Sequence, residues 1–363
     1  MIQTNKKVAI GLSGGVDSAV SAYLLKAAGY DVHAFYMKNW HDNEALCTQH
    51  DDLNDASIIA QQLAIPLEVV DFADAYYQDV FESMLKQYQK GWVPNPDIWC
   101  NQYIKFDQFF NYIQARDFDY LATGHYAQIQ HDRKGPLLTL GADSNKDQTY
   151  FLCAINKSVL AKTLFPIGHL TKQAVRELAE SYGLVVADKK DSTGICFVGP
   201  KSMRSFLQSY LIGQPGPIKD EQNRTLNHHQ GVIFYTLGQR QGLNIGGTQD
   251  GFEKPWYVVK KDIINNELIV SQNPFQPQYA ITDVTCKDFN WLIDADQHQP
   301  IQCRTRHRGE LVDVHLASTN PDETIIQFNK PLYHLSQGQW CVLYQDGICL
   351  GGGQIAEISY SQN

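Results

Sequence analysis

The chain has 363 residues, 43% of them hydrophobic and 19% charged, with a formal net charge of -9. That length supports two or three domains with real cores, and no apolar run approaches the roughly 18 residues a membrane span requires. The acidic balance excludes a uniformly basic surface and leaves room for a local basic patch.

Residues 1–7 run directly into an apolar strand of Val8, Ala9 and Ile10 without a signal-peptide pattern, so a cytoplasmic protein is expected. A turn of Gly11, Leu12, Ser13, Gly14, Gly15, Val16, Asp17 and Ser18 follows. Val20, Tyr23, Leu24 and Ala27 then recur at helical spacing. Strand, glycine turn and helix aim backbone amides, two serine hydroxyls and a helix N-terminus at one point, which makes a seat for an anion. The lysine of a G-x-x-x-x-G-K-[ST] loop is missing, and G-x-G-x-x-G does not fit.

Gly29 stops that helix. Val32, Ala34, Phe35, Tyr36 and Met37 predict a second strand, residues 39–52 a polar loop, and Leu53, Ala56, Ile59, Ala60 and Leu63 an amphipathic helix. Leu67, Val69 and Val70 predict a third strand; Tyr76, Val80, Met84, Leu85 and Tyr88 predict a longer helix. Strands alternating with helices argue for a parallel sheet covered on both faces, with ligands beyond the carboxyl ends of its strands. Ser13, Met37 and the segment after Leu121 fall on that edge.

The two prolines of Pro94-Asn95-Pro96-Asp97 hold a rigid turn, and Ile104, Phe109, Phe110 and Ile113 predict a helix after it. Cys100 falls near its start, where a helix dipole favours a thiolate, with Asp97 placed to orient or deprotonate a neighbour. A half-buried structural cysteine beside a turn explains the same pattern. Residues 120–126 predict a fourth strand and a turn at Gly124, with His125 either at a phosphate or base, or structural. Residues 128–140 read as a hairpin. A polar loop with Lys146, Asp147 and Gln148 precedes an apolar helix at 150–154. Thr171 caps an amphipathic helix that stops at Gly183. Cys196 lies in a small-residue loop after Lys189 and Lys190, whose charge lowers a thiol pKa, and alone it is as ambiguous as Cys100.

Gln214-Pro215-Gly216-Pro217 reads as a break in the chain and a boundary. Short strands are predicted at 232–235, 256–259 and 268–270. After Asn273-Pro274 they follow at 303–306, 312–316, 324–328, 340–344 and 355–358, which is the spacing of a compact barrel. Arg304, Arg306 and Arg308 alternate along one predicted strand and would share a face, either a solvated one or a phosphate-reading strip. The eight cysteines show no C-x-x-C pair, which argues against a zinc ribbon, and most should be buried thiols.

S-G-G-V-D-S, N-P-D-x-x-C, A-T-G-H-Y, D-S-N-K-D-Q, D-S-T-G-I-C-F, T-L-G-Q-R-x-G-L and C-L-G-G-G stand in that order between Val8 and Gly353. The first resembles the phosphate loop of N-type ATP pyrophosphatases, which split ATP into AMP and pyrophosphate. The whole set resembles the bacterial tRNA-specific 2-thiouridylases. The resemblance implies an α/β fold: a parallel-sheet PP-loop catalytic domain over 1–201, a small mostly β central domain over 202–275, and a C-terminal β-barrel over 276–363. It implies ATP with Mg2+, adenylation of the C2 oxygen of uridine 34 in the tRNAs for Lys, Glu and Gln, and sulfur transfer from a cysteine persulfide. Gly11 to Ser18 would hold the ATP phosphates, and Met37 and Gly124 the adenosine part. Asn95, Pro96 and Asp97 would line the target-base pocket, Cys100 would be the nucleophile, and Cys196 would carry persulfide sulfur. His125, Lys146, Asp147, Gln148, Arg306, His307 and Gln339 would touch tRNA. The implied partners are the tRNA anticodon loop and a persulfide donor protein, with no membrane and no resident metal site. Trp99 is bulkier than the small or aliphatic residue expected before Cys100.

The chemistry fits these residue types. A uridine C2 carbonyl is a poor electrophile with a poor leaving group, and adenylation turns the oxygen into AMP. Fixed donors and a metal would stabilise the developing charge. Delivering sulfur needs two cysteines that can meet. A small-molecule amide-forming ligase of the same ATP class needs neither the cysteine pair nor a trailing barrel. An iron–sulfur protein using Cys100, Cys196 and Asp97 falls short of the usual four ligands and would need a cluster with an open iron, an alternative these residues leave standing. A tRNA-binding protein with a dead ATP loop conflicts with intact Asp17 and Ser18.

Overall fold

The computed structural model describes residues 5–41, 49–133, 135–190, 203–246, 254–320 and 322–361. Seven strands come from the first part of the chain: β1 (Lys7–Gly11), β2 (Asp31–Lys38), β3 (Leu67–Asp71), β4 (Tyr120–Ala122), β5 (Ala127–Asp132), β6 (Gly135–Leu140) and β7 (Thr163–Leu164). Five form a parallel sheet in the order β3-β2-β1-β4-β7. Central β1 is covered on both faces, which is why Val8, Ala9 and Ile10 are all apolar and fully buried. Helix α1 (Val16–Ala27) follows β1 directly, and α2 (Gln49–Gln62) starts inside the stretch expected to be a loop. Its polar first turn, Gln-His-Asp-Asp, hides the helical periodicity until Leu53.

The two long helices after β3 are not uniform. Residues 73–89 contain a π-helical segment at Tyr77–Glu82, and residues 96–114 contain a longer one at Cys100–Gln108. Such widened turns are rare and often mark functional sites. Both pack with Trp40, Phe81 and Phe109 in the largest apolar cluster. The expected helix from Thr171 is present as Lys172–Ser181: the Thr171 hydroxyl accepts from the Ala174 amide, and Gly183 ends it at φ +62.

A second sheet has the order β10-β11-β8-β9, from β8 (Gly216–Lys219), β9 (Thr225–His229), β10 (Tyr257–Asp262) and β11 (Glu267–Ser271). Two expectations fail here. Residues 216–219 are strand rather than break, since Gly216 pairs with His229. Val232–Phe234 is a 3-10 turn rather than strand, because a short apolar run buries equally well in either form.

The last third is a closed antiparallel barrel. Its strands β12 (Ile281–Trp291), β13 (Ile301–Arg304), β14 (Val312–Thr319), β15 (Glu323–Leu332), β16 (Trp340–Gln345) and β17 (Ile348–Tyr360) run β12-β15-β14-β13-β16-β17, and β17 returns to pair with β12. The expected hairpin exists as β5–β6, but it reaches out of the first domain and joins the barrel sheet through Thr139 and Ile348. Reciprocal amide hydrogen bonds between Gln87 and Gln354 (2.8 and 2.9 Å) add to this docking. The expected arginine strip does not form. β13 ends at Arg304, and Arg306 and Arg308 lie in the following turn, with Arg308 at φ +59. Among the described residues no helix is long and apolar enough to cross a membrane.

Candidate functional site

The phosphate loop sits at the carboxyl end of β1. Helix α1 begins at Gly15 with no side-chain cap, which leaves its first-turn amides for an anion. The Ser13 amide donates to Ser18 Oγ (3.2 Å), and the Ser18 hydroxyl donates to the Gly15 carbonyl (3.0 Å), so the loop closes on itself. Gly14 has φ +75, and a Cβ there would lie 2.2 Å from the Asp52 carbonyl oxygen. A Cβ on Gly124 would lie 2.8 Å from the Ser18 amide nitrogen, so β4's turn touches the loop from the side. The Met37 methyl abuts Gly11. The chain thus brings Gly11–Ser18, Met37 and Gly124 to one sheet edge.

Two lysines that the sequence reading did not assign to this site converge on it. Lys172 Nζ, almost fully buried, donates to Asp17 Oδ1 (2.7 Å), and the Tyr126 hydroxyl donates to the same oxygen (2.7 Å). Lys189 Nζ donates to the Gly14 carbonyl (3.1 Å), Asp52 Oδ1 (2.7 Å) and Asp55 Oδ2 (2.6 Å). Burial opposes its charge, but hydrogen bonding and attraction from Asp52 and Asp55 hold its pKa above the ordinary value. Lys189 is therefore tied to the phosphate loop and α2, whereas the sequence offered it as a neighbour of Cys196. Cys196 lies outside the described residues, as does the rest of its motif.

The prospective base pocket is built by capping. Asn95 Oδ1 accepts from the amides of Asp97 (3.1 Å) and Ile98 (3.3 Å), with Pro96 in the first helical turn. Cys100 stands one turn inside this helix, 4% exposed, at the start of the π segment. Burial raises the Asp97 carboxyl above its ordinary pKa, and the Lys105 charge opposes that rise. Lys105 also acts on His125, whose pKa falls well below the ordinary value, chiefly by burial. The His125 ring is buried against Phe106 and Phe165, with Nδ1 2.7 Å from the Thr123 hydroxyl. A buried neutral imidazole cannot offer a phosphate a charge; in this conformation it supports the turn at Gly124.

The polar loop before residue 149 connects the two ends of the site. Gln148 Oε1 accepts from the Tyr126 amide (2.9 Å), and Tyr126 in turn holds Asp17. Asp147 is buried and forms an ion pair with Arg304 of the barrel (2.7 Å), while also accepting from the Gly141 amide and the Thr149 hydroxyl. The Asp147 and Gln148 side chains therefore face inward. The His307 ring tilts onto Phe151 at 4.5 Å, and its pKa is lowered by burial and by Arg308. Gln339 Oε1 accepts from the Ser336 amide (2.9 Å), shaping the turn 336–339. The Gln337 carbonyl of that turn accepts from the Val93 amide (2.8 Å), two residues before Asn95. Among the described residues no group of three or more His, Cys, Asp and Glu could hold a metal ion.

The chain matches three family models: the tRNA methyl transferase HUP domain over residues 6–200, the tRNA methyl transferase PRC-barrel domain over 204–272, and the aminomethyltransferase beta-barrel domain over 281–355. It is 44% identical to the tRNA-specific 2-thiouridylase MnmA of Legionella pneumophila strain Lens, covering 97% of this chain and 99% of that protein. It is 44% identical to the same-named protein of Idiomarina loihiensis, with 98% of each chain covered. The match to that of Serratia proteamaculans is 45% identical over 98% of each.

Proposed function

We propose that this chain, which belongs to the tRNA-specific 2-thiouridylase family, replaces the C2 oxygen of wobble uridine 34 in tRNA by sulfur at the expense of ATP. The observation that carries this reading is the union of a pyrophosphate-type loop with a buried cysteine beside the capped turn Asn95-Pro96-Asp97 in one α/β domain. The proposed tRNA substrates are those for Lys, Glu and Gln, and the proposed setting is the cytoplasm.

In this reading Gly11–Ser18 hold the triphosphate, and Met37 and Gly124 border the adenosine. Mg2+ accompanying ATP would neutralise charge developing on the phosphates. Asp17 suits it: its Oδ1 is taken by Tyr126 and Lys172, while Oδ2 accepts from neither, and Mg2+ favours phosphates plus one or two carboxylates. The flipped uridine enters beside Asn95, Pro96 and Asp97. Its O2 attacks the α-phosphorus, pyrophosphate leaves, and Asp97 takes up or orients the base's proton. Sulfur then arrives as a persulfide on Cys196, loaded by a donor protein. Its terminal sulfur bonds to C2 and AMP leaves with the C–O bond pair. Cys100 thiolate next attacks the Cys196 sulfur, which frees the thiocarbonyl and leaves a Cys100–Cys196 disulfide for an external thiol to reduce. Alternatively, Cys100 first releases sulfide from the persulfide, and sulfide attacks C2. Lys146, Arg306, His307 and the turn at Gln339 are the proposed tRNA-facing groups, with His125, Asp147 and Gln148 supporting them from beneath.

The test is incubation of the protein with ATP, magnesium, a sulfide source and unmodified tRNA for Glu, with nucleosides read by mass spectrometry. Appearance of 2-thiouridine with equimolar AMP supports the proposal. AMP formation with a small-molecule acceptor and no thiouridine rejects it.

Two variants probe the ATP and base sites. Gly124→Ala should slow pyrophosphate release by about 10-fold or more, because a new methyl would displace the Ser18 amide from its aim and a misplacement of about 1 Å costs up to about 100-fold. An unchanged rate would show that Gly124 does not border the nucleotide. Asp97→Asn should reduce thiolation by about 100- to 10,000-fold, the usual worth of an acid–base group. It should also raise thermal stability at pH 7.5. The folded-state pKa of Asp97 is raised, so its ionised form destabilises the fold above that value and the penalty disappears as pH falls below the unfolded pKa. Melting curves of both proteins should therefore converge in acid. A loss of stability at neutral pH would overturn this account.

A further inference from the structure

We propose that Phe275, Tyr333 and His334 form a stacking platform for an unpaired base of the tRNA loop, next to but distinct from the pocket that takes the target uridine. The proposal rests on the tRNA reading above. Phe275 is 63% exposed, and it does not stand alone. It stands edge-on to Tyr333 (5.4 Å) and His334 (5.5 Å), so the three rings make one aromatic cluster at the surface.

The segment presenting Phe275 is fixed rather than loose. Glu221 accepts hydrogen bonds from Ser271 Oγ (2.8 Å), Gln276 Nε2 (2.8 Å), Gln278 Nε2 (3.1 Å) and the Tyr279 hydroxyl (2.8 Å). Those bonds bracket Phe275 on both sides. A ring held in place loses little entropy when a base covers it. His334 is fixed from below by Gly238, where a Cβ would lie 2.9 Å from its ring.

Charge and position select the occupant. Burial chiefly lowers the His334 pKa and the charge of the exposed Arg306 lowers it further, so a cation lies within electrostatic reach of the rings. The charges of Arg308, Arg304 and Lys146 act on His307 against that of Asp147, so cations of the barrel turn and of the polar loop share this side. Downstream of His334 the chain enters the turn 336–339, whose carbonyl at Gln337 holds Val93. That sequence of contacts leads from the platform to Asn95-Pro96-Asp97. Exposed aromatics flanked by arginine are the recurrent means of holding unstacked bases. Extruding one loop base leaves its neighbours unstacked, and a platform at this place would hold one of them.

The experiment measures binding of labelled, unmodified tRNA for Glu to the full chain over a series of salt concentrations. Phe275→Ala should weaken binding by about 5- to 150-fold, as loss of one base–aromatic stack does, with the salt slope unchanged. Phe275→Trp should retain wild-type affinity. Arg306→Ala should lower the slope of log K against log salt by about one, as loss of a phosphate contact does. Two results would overturn the platform: unaltered affinity in Phe275→Ala, or failure of Trp to restore it. Unaltered affinity together with slowed sulfur loading from a persulfide donor protein would make this face a protein dock. If the wild type binds no tRNA at all, the proposed function itself fails, and that outcome is separate from a defect confined to Phe275.

Discussion

Cys100→Ser is expected to abolish 2-thiouridine formation, with a loss of at least about 10,000-fold, because no hydroxyl can enter thiol–disulfide exchange. The first-turnover burst of pyrophosphate should survive, since adenylation uses the phosphate loop and the Asn95–Asp97 turn. Rapid-quench measurement of pyrophosphate and thiouridine in one reaction would separate the steps. Cys100→Ala serves as a second variant, because a methyl suits a site 4% exposed better than a hydroxyl. It should be equally inactive and fold normally. Cys196→Ser distinguishes the routes of sulfur delivery: rescue by added sulfide means that Cys196 only delivers sulfur. If Cys100→Ala still thiolates tRNA at a measurable fraction of the wild-type rate, Cys100 is a packing residue and the mechanism fails.

Asp147→Ala is expected to destabilise the protein by about 3–5 kcal/mol, because it leaves the Arg304 guanidinium buried and unpaired. The side chains are 2% and 12% exposed, so solvent cannot replace the lost partner. The same substitution removes the acceptor for the Gly141 amide and the Thr149 hydroxyl. The polar loop should loosen, and with it the Gln148–Tyr126–Asp17 chain of contacts that reaches the phosphate seat. The double variant Asp147→Leu with Arg304→Met removes both charges and should recover most of the stability, since apolar replacement of a buried pair is often neutral or better. Denaturant melts of the wild type, the single variant and the double variant would show this. If the single variant costs less than about 1 kcal/mol, the value of an exposed pair, the two domains are not held by this interaction.

The parts of the site carried by contiguous sequence were legible. The glycine-rich turn after an apolar strand, the Asn95 cap before Pro96 and the Thr171 cap with its Gly183 stop each depend on neighbours a few residues apart. The barrel was legible for the same reason, from turns between short alternating strands. The arginine strip was misread because alternation implies a shared face only while the strand continues, and β13 stops at Arg304. The start of α2 was missed because its first turn is wholly polar. The short apolar run at 232–235 carried no periodicity that could separate a helical turn from a strand.

By itself, the sequence determined a phosphate-binding turn at the edge of a parallel sheet, two cysteines set in motifs of distinct texture, and a β-rich second half. These follow from backbone stereochemistry and local hydrophobic period, which act between near neighbours. Only the tertiary structure decided which charges meet. Lys172 reaches Asp17 across 155 residues, Arg304 reaches Asp147 across 157, and Lys189 turns to Asp52 and Asp55 across more than 130. Such pairs leave no local period, because their partners are chosen by the packing of whole sheets and helices. That same packing half-buries Asp97 and raises its pKa, and it encloses the His125 ring between Phe106 and Phe165, where its pKa falls.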